Sequence, residues 1–313
     1  MNRTWGQEQR VTDPENVRKK LTSGMNSKNP KTPLAHALKN KNTIRLGNKT
    51  DPFQNIEKTK RISSRIIGVM EDLDWSYVVQ TKYVANVVPV FHKIKVGTLM
   101  PIVSPGLEMD WELFEKCKTT NPIDRLRLLN VFNREHDIQG GVNGEPFIPG
   151  YHSERDFEQT LKLLKTYNIK SYNTYHLHFN DLVAKNFHEA GLDIELIWKM
   201  NQDENWKPIL QNLIDLAKKY DIILGCPDFV NSGLYQEKTN TCCGLNVPNP
   251  TKFTMIEWKK KMLWEGKTAQ QAIDETWDGV GDRQEALDIL TNKQKDMYTI
   301  KDIEIETKKG GLF

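Results

Sequence analysis

Six polar stretches in this chain each close an apolar run: GNKTDP (Gly47–Pro52), QTKY ending at Tyr83, VSPG ending at Gly106, NGEPFIPG ending at Gly150, HLHFND ending at Asp181 and GCPDF ending at Phe229. Any strand-to-helix loop is polar. Six in series, one with Lys82 directly after an apolar strand, mark the carboxyl ends of a parallel sheet, where α/β proteins keep their chemistry. A lysine there suits a carboxylate, with the Thr50 hydroxyl and the backbone at Gly47 as further partners. Lys82 and Glu145 also form a candidate acid–base pair. Cys226, Cys242 and Cys243 offer three thiols, but their spacing fits no zinc pattern and adjacent cysteines ligate one metal only with strain, so they read as buried or free thiols without a shared metal. His176 and His178 fall on one strand face and read as packing and hydrogen-bonding groups.

The elements that must position these groups follow from hydrophobic period. TIRLGN predicts a strand, followed by a helix from about Asn55 to Leu73. Trp75–Tyr83 is a second strand whose adjacent central valines suit burial on both faces. A short helix over Val84–Lys93 leads to a third strand, VGTLMPIVS. Helical stretches over Asp110–Cys117 and Pro122–Arg134 follow, with Thr120 or Asn121 as N-cap before Pro122. DIQGGVNGEPFIPG is a fourth strand with a Gly-rich interior. Ser153 and Asp156 form a capping arrangement before the stripe Phe157, Leu161, Leu164. KSYNTYHLHF is a fifth strand, NWKPILQNLIDLAKKY an amphipathic helix and DIILGCPDF a sixth strand. Alternating strands and helices argue for βα units and a parallel sheet.

Three regions result: a polar segment over 1–40, an α/β region over 41–238, and a small helical appendage with a polar tail over 239–313. In the appendage Trp258, Trp264 and Trp277 read as its core. Beside Lys259, Lys260 and Lys261 they also suit stacking on single-stranded nucleic acid. The 313 residues are enough for a full core, and the net charge of +3 balances 44 basic against 41 acidic residues, which argues for no particular anionic partner. No run approaches the roughly 18 apolar residues of a membrane span, and the N-terminus has no export signal. Four cysteines with two adjacent suit a reducing cytoplasm.

LGNKTDPFQNIEKTKR, then VVQTK, then GEPFIPGYHSERDF resemble strand-loop signatures of the spore photoproduct lyase-like branch of the radical S-adenosylmethionine (SAM) enzymes. The resemblance covers roughly residues 40–180 and is specific as a set. It implies a partial βα barrel, and a reduced [4Fe–4S] cluster that cleaves SAM so that the resulting radical abstracts a substrate hydrogen. Residue by residue it implies that Gly47, Asn48 and Thr50 line the methionine part of SAM, that Lys82 pairs with its carboxylate, and that Ser104 faces its ribose. Asp51 belongs to the same loop, and is equally an N-cap with Pro52 at the first helical position.

Two departures limit what the resemblance carries. The family holds its cluster with Cys-x-x-x-Cys-x-x-Cys before the GNKTDP position, and no cysteine precedes Cys117 here. Asn48 stands where spore photoproduct lyases have a hydrogen-donating cysteine, which speaks against thymine-dimer repair by that route. The expectation is therefore a barrel without its first strand and cluster segment, whose cluster ligands would come from an upstream segment or partner chain. Alone it would cleave no SAM, and the uncovered flank would leave it poorly stable, since residues 1–40 are too polar to replace a buried strand. A nucleic-acid substrate fits the resemblance. The alternative is a cluster-free barrel that binds nucleic acid or a protein partner without catalysis.

Overall fold

The computed structural model describes residues 12–30, 33–47, 50–175, 177, 181–225, 243–250, 266–276 and the single positions 284, 287 and 291. In chain order these residues form α1 (Pro14–Met25), α2 (Pro33–Lys39), β1 (Ile44–Leu46), α3 (Glu57–Lys60), α4 (Ile62–Asp72), β2 (Tyr77–Thr81) and α5 (Val84–Val87). A 3-10 turn over Val88–Lys93 leads to β3 (Gly97–Pro101), α6 (Leu107–Leu113), α7 (Pro122–Glu135), β4 (Val142–Asn143) and α8 (Glu154–Thr166). Then come β5 (Ser171–Asn173), α9 (Asp181–Glu189), α10 (Ile194–Met200), α11 (Asp203–Lys219), β6 (Ile223–Gly225) and α12 (Ala269–Thr276).

Two compact units divide the chain: Met1–Ser23 with Lys41–Thr251, and Gly24–Asn40 with Lys252–Phe313. In the first, the strands form two three-stranded parallel sheets, β1-β2-β3 and β4-β5-β6. A parallel bridge from Ile102 to Asn143, with the Val103 amide donating to the Asn143 carbonyl at 2.7 Å, runs from the end of β3 to β4. Each strand thus neighbours the one before it in the chain. No closed barrel forms among the described residues.

The first sheet is built for burial. Every residue of β2 and β3 is buried, which removes the need for alternation and explains the adjacent valines of β2. Ile67, Val69 and Met70 of α4 and Leu126, Leu129 and Phe132 of α7 are buried, as is Trp75, whose indole N–H reaches the Asn42 carbonyl at 2.9 Å. Fully burying one such aliphatic or aromatic side chain contributes about 1.5–3 kcal/mol.

Several elements are shorter than their sequence predicts. The helix expected from Asn55 to Leu73 is two helices, because Arg61 is left-handed at φ 50°. The buried Glu57 carboxylate sits at the start of α4, accepting from the Ser63 amide at 3.0 Å and the Ser64 amide at 2.8 Å. An anion there satisfies orphan amides and complements the helix dipole. Pro52 starts a turn and not a helix, so Asp51 is no N-cap. The helix over Val84–Lys93 tightens to 3-10 form at Val88–Pro89, since proline cannot donate. The fourth strand keeps only Val142–Asn143. The Asn121 cap before Pro122 and the Ser153–Asp156 capping box form as their spacing predicts.

Residues 243–250, read from sequence as part of the appendage, belong to the first unit. Leu245 and Val247 are buried against Val78 and Met100. The Ser171 hydroxyl donates to the Gly244 carbonyl, and the Thr43 amide reaches the Asn249 carbonyl at 3.0 Å. The segment so meets both β5 and the residue leading into β1.

In the second unit Thr268 and Gln271 cap α12 reciprocally, and Ala272 and Ile273 are buried. Trp258, Trp264, Trp277 and Lys259–Lys261 lie outside the described residues. No helix among the described residues is long and apolar enough to cross a membrane.

Candidate functional site

At the end of β1, Gly47 has φ 106°, and a Cβ there would lie 2.3 Å from the Gln80 carbonyl oxygen. Only glycine allows the loop to pass so close to β2. Four residues on, the Asp51 carboxylate accepts from the Thr81 hydroxyl and the Lys82 amide, both at 2.6 Å, and from the Phe53 amide at 2.9 Å. Burial pushes the Asp51 pKa up more than these bonds pull it down. Asp51 thus ties the turn at Pro52–Phe53 to the end of β2. Thr50 is exposed beside it, and Asn48 lies outside the described residues.

Lys82 turns its ammonium to Glu115, 3.0 Å away. That carboxylate is also held by the Arg125 guanidinium, and the Thr119 hydroxyl donates to it. Arg125 is 1% exposed and donates to the Ile102 carbonyl at 2.5 Å and the Thr120 carbonyl at 2.7 Å, so α7 is pinned to the end of β3. Burial would raise the Glu115 pKa, but Arg125 and Lys82 outweigh it and hold the carboxyl below its usual range. Lys82 is thus a shared cation with a partner already in place, one that sequence spacing did not suggest.

Ser104 also has a partner: its hydroxyl donates to Asp110. Asp110 in turn accepts from His152 Nε2 at 2.9 Å, while His152 Nδ1 accepts the Ile148 amide at 2.9 Å. This fixes the tautomer and leaves no imidazole nitrogen for a serine, so the three residues brace the loops after β3 and β4 and form no nucleophilic triad. Burial pushes the Asp110 pKa up, yet the hydrogen bonds from His152 and Ser104 bring it below the ordinary value.

A second polar group stands on the strands themselves. Arg45 of β1 donates from Nε to Gln80 Oε1 of β2 at 2.5 Å and from Nη1 to the Cys243 sulfur at 3.8 Å. Asn143 of β4 pairs in register with Asn173 of β5, which pairs with Gly225 of β6. Asn173 Nδ2 donates to Glu145 Oε1 at 3.1 Å, and the Glu145 amide donates to Asn143 Oδ1 at 2.9 Å. Burial raises the Glu145 pKa, opposed by the charge of Arg45 and by Asn143. Sequence reading found Glu145 but paired it with Lys82. The structure pairs Lys82 with Glu115 and Glu145 with Asn173. Arg45, Gln80, Asn143 and Asn173 were missed. The available signal was a polar residue within each of β1, β2, β4 and β5.

Comparison of the chain with family models, curated proteins and solved structures gave no match. The donor set can be tested directly. Among the described residues the cysteines are Cys117, which is exposed, and Cys243, half-buried beside Arg45, and no three His, Cys, Asp or Glu side chains gather as a metal site. Such a set does not fit a [4Fe–4S] cluster, which takes three thiolates from one loop. Cys226, Cys242, His176 and His178 lie outside the described residues.

Proposed function

We propose that this chain is a partial βα barrel of radical SAM type, related to the spore photoproduct lyase-like branch, and that it binds a SAM-type cofactor at the corner between β1 and β2. The observation that carries the reading is the Asp51 latch, which joins GNKTDP to the QTK strand end, the two stretches that resemble that family. Parallel strands in chain order are what such a barrel requires. When bound and cleaved at a reduced cluster, SAM supplies the radical that abstracts hydrogen in that family. The described residues do not fit the cluster, so no reaction step is assigned to them. In this reading Gly47 and Thr50 line the cofactor, Asp51 keeps the corner rigid, and Lys82, its side chain 38% exposed, offers part of its ammonium to a carboxylate while Glu115 holds the rest. The donor set favours a second reading, a cluster-free barrel that binds a nucleic acid or protein partner without catalysis.

The test is calorimetric titration of SAM into the full chain, with Lys82→Met beside it. Losing a charge-assisted contact weakens binding roughly tenfold. A folded chain that takes up no SAM, or a Lys82→Met variant that binds it as well as the parent, removes the cofactor assignment.

A further inference from the structure

The passage from α3 into α4 carries Lys58, Lys60, Arg61 and Arg65 within little more than two helical turns. All four are exposed, and none makes an ion pair or a side-chain hydrogen bond among the described residues. By contrast, Lys162 and Lys219 share Glu158, Lys185 meets Glu189 and Lys218 meets Asp215. Between Pro52 and Met70 the sequence offers a single acid, Glu57. That residue is 4% exposed, and its carboxylate accepts from the Ser63 and Ser64 amides and the Ser64 hydroxyl. The Arg65 amide donates to the Arg61 carbonyl at 3.1 Å, so these two arginines stand one turn apart on the same side. Like charges at that spacing repel, and the amino end of α4 is where a helix dipole disfavours cations. An anion from outside the chain would relieve both.

We propose that this face of α3 and α4 binds the phosphate backbone of a nucleic acid, independently of base sequence. A phosphate chain needs only closely spaced Lys and Arg side chains, because release of its counterions supplies the affinity. A membrane or a protein partner needs apolar surface as well, for insertion among lipid tails or for an interface core. No large apolar side chain is exposed between Lys58 and Arg65, and Ile56 beside them is only 36% exposed. The helix end itself takes no part, since Glu57 already holds its first amides. The inference rests on the nucleic-acid form of the second reading above and names the surface that would serve it. It uses none of the residues assigned to the cofactor corner.

The experiment is fluorescence anisotropy of a labelled single-stranded oligonucleotide of mixed sequence, titrated with the full chain at several salt concentrations. Binding should be saturable at low salt, and log K should fall against log salt with a slope of about −2 to −3, as for three or four phosphates on a single strand. A slope near zero would overturn the phosphate assignment without relying on any variant. Combining Lys58→Gln, Lys60→Gln, Arg61→Asn and Arg65→Gln should weaken binding at least roughly tenfold and flatten the slope. Asparagine is chosen because it tolerates the left-handed backbone at Arg61, φ 50°. A control chain with Lys162, Lys185, Lys218 and Lys219 each changed to Gln loses as many charges from paired positions and should lose far less affinity. Equal losses in the two would mean attraction by net charge and overturn the proposal. Unchanged binding in the first variant overturns this surface while leaving the nucleic-acid reading standing, whereas no saturable binding by the parent removes both. Poly-glutamate, or vesicles of anionic phospholipid, displacing the oligonucleotide at a lower concentration of charge would overturn the choice of nucleic acid.

Discussion

Asp51 Oδ2 accepts the Lys82 backbone amide at 2.6 Å, so Lys82 is held by its main chain while its side chain reaches Glu115. Position and charge of Lys82 are therefore governed by two different carboxylates. Removing either should have separable effects.

Asp51→Ala leaves the Lys82 amide and the Thr81 hydroxyl without their acceptor, and should lower stability by about 1–3 kcal/mol in urea unfolding. Asp51→Asn keeps the shape and allows a pH test. Because burial raises the folded Asp51 pKa above its unfolded value, its contribution is fully present below the unfolded value and is lost as pH rises through the folded one. The stability of the parent relative to Asp51→Asn should thus fall with rising pH across that window. A difference that stays flat with pH would refute the assignment.

The two cations on Glu115 should differ greatly. Arg125 is buried, and Arg125→Met leaves the 8% exposed Glu115 with only a partly solvated lysine, costing about 3–5 kcal/mol. Lys82→Met should cost under about 1 kcal/mol, because the side chain is solvated enough for screening to reduce its contribution. Equal losses in chemical denaturation would contradict this division.

Acid should unlock the Asp110 brace. Its folded pKa lies below the unfolded value, so its contribution is present above the unfolded pKa and disappears as pH falls through the folded one. Glu115 shares this sign. Asp110→Asn should be less stable than the parent at neutral pH and lose less stability between neutral and acid pH. Thermal unfolding curves followed across that range would check both signs.

Glu57→Ala should shorten or fray α4, since the Ser63 and Ser64 amides lose their anionic acceptor. The expected cost is about 0.5–2 kcal/mol, with faster hydrogen exchange at the first turn of α4 and little change in α7. Unchanged exchange at Ser63 and Ser64 would mean that water replaces the cap fully.

Local rules made much of the scaffold legible in the sequence. The Ser153–Asp156 box, the Asn121 cap before Pro122 and the all-apolar centre of β2 depend on neighbours a few residues apart, and spacing alone carries that information. The loop at Gly47 was also readable as special, although the reason, contact with the Gln80 carbonyl, was not.

Partnership was decided only in three dimensions. Nothing in the spacing of Lys82 and Glu115, Ser104 and His152, or Glu145 and Asn173 announces that they share a network, because parallel strands join residues whose separation is set by intervening helices. Sequence could say that Lys82 follows an apolar strand; it could not say that a carboxylate from the α6–α7 connection already neutralises it. Nor could it see the partners of Arg45, since a polar residue inside a short strand looks like a weak strand until Gln80 and Cys243 are found beside it. Helix caps obey local periodicity, whereas long-range polar pairing obeys burial, which makes an unmatched charge costly wherever along the chain its partner happens to lie.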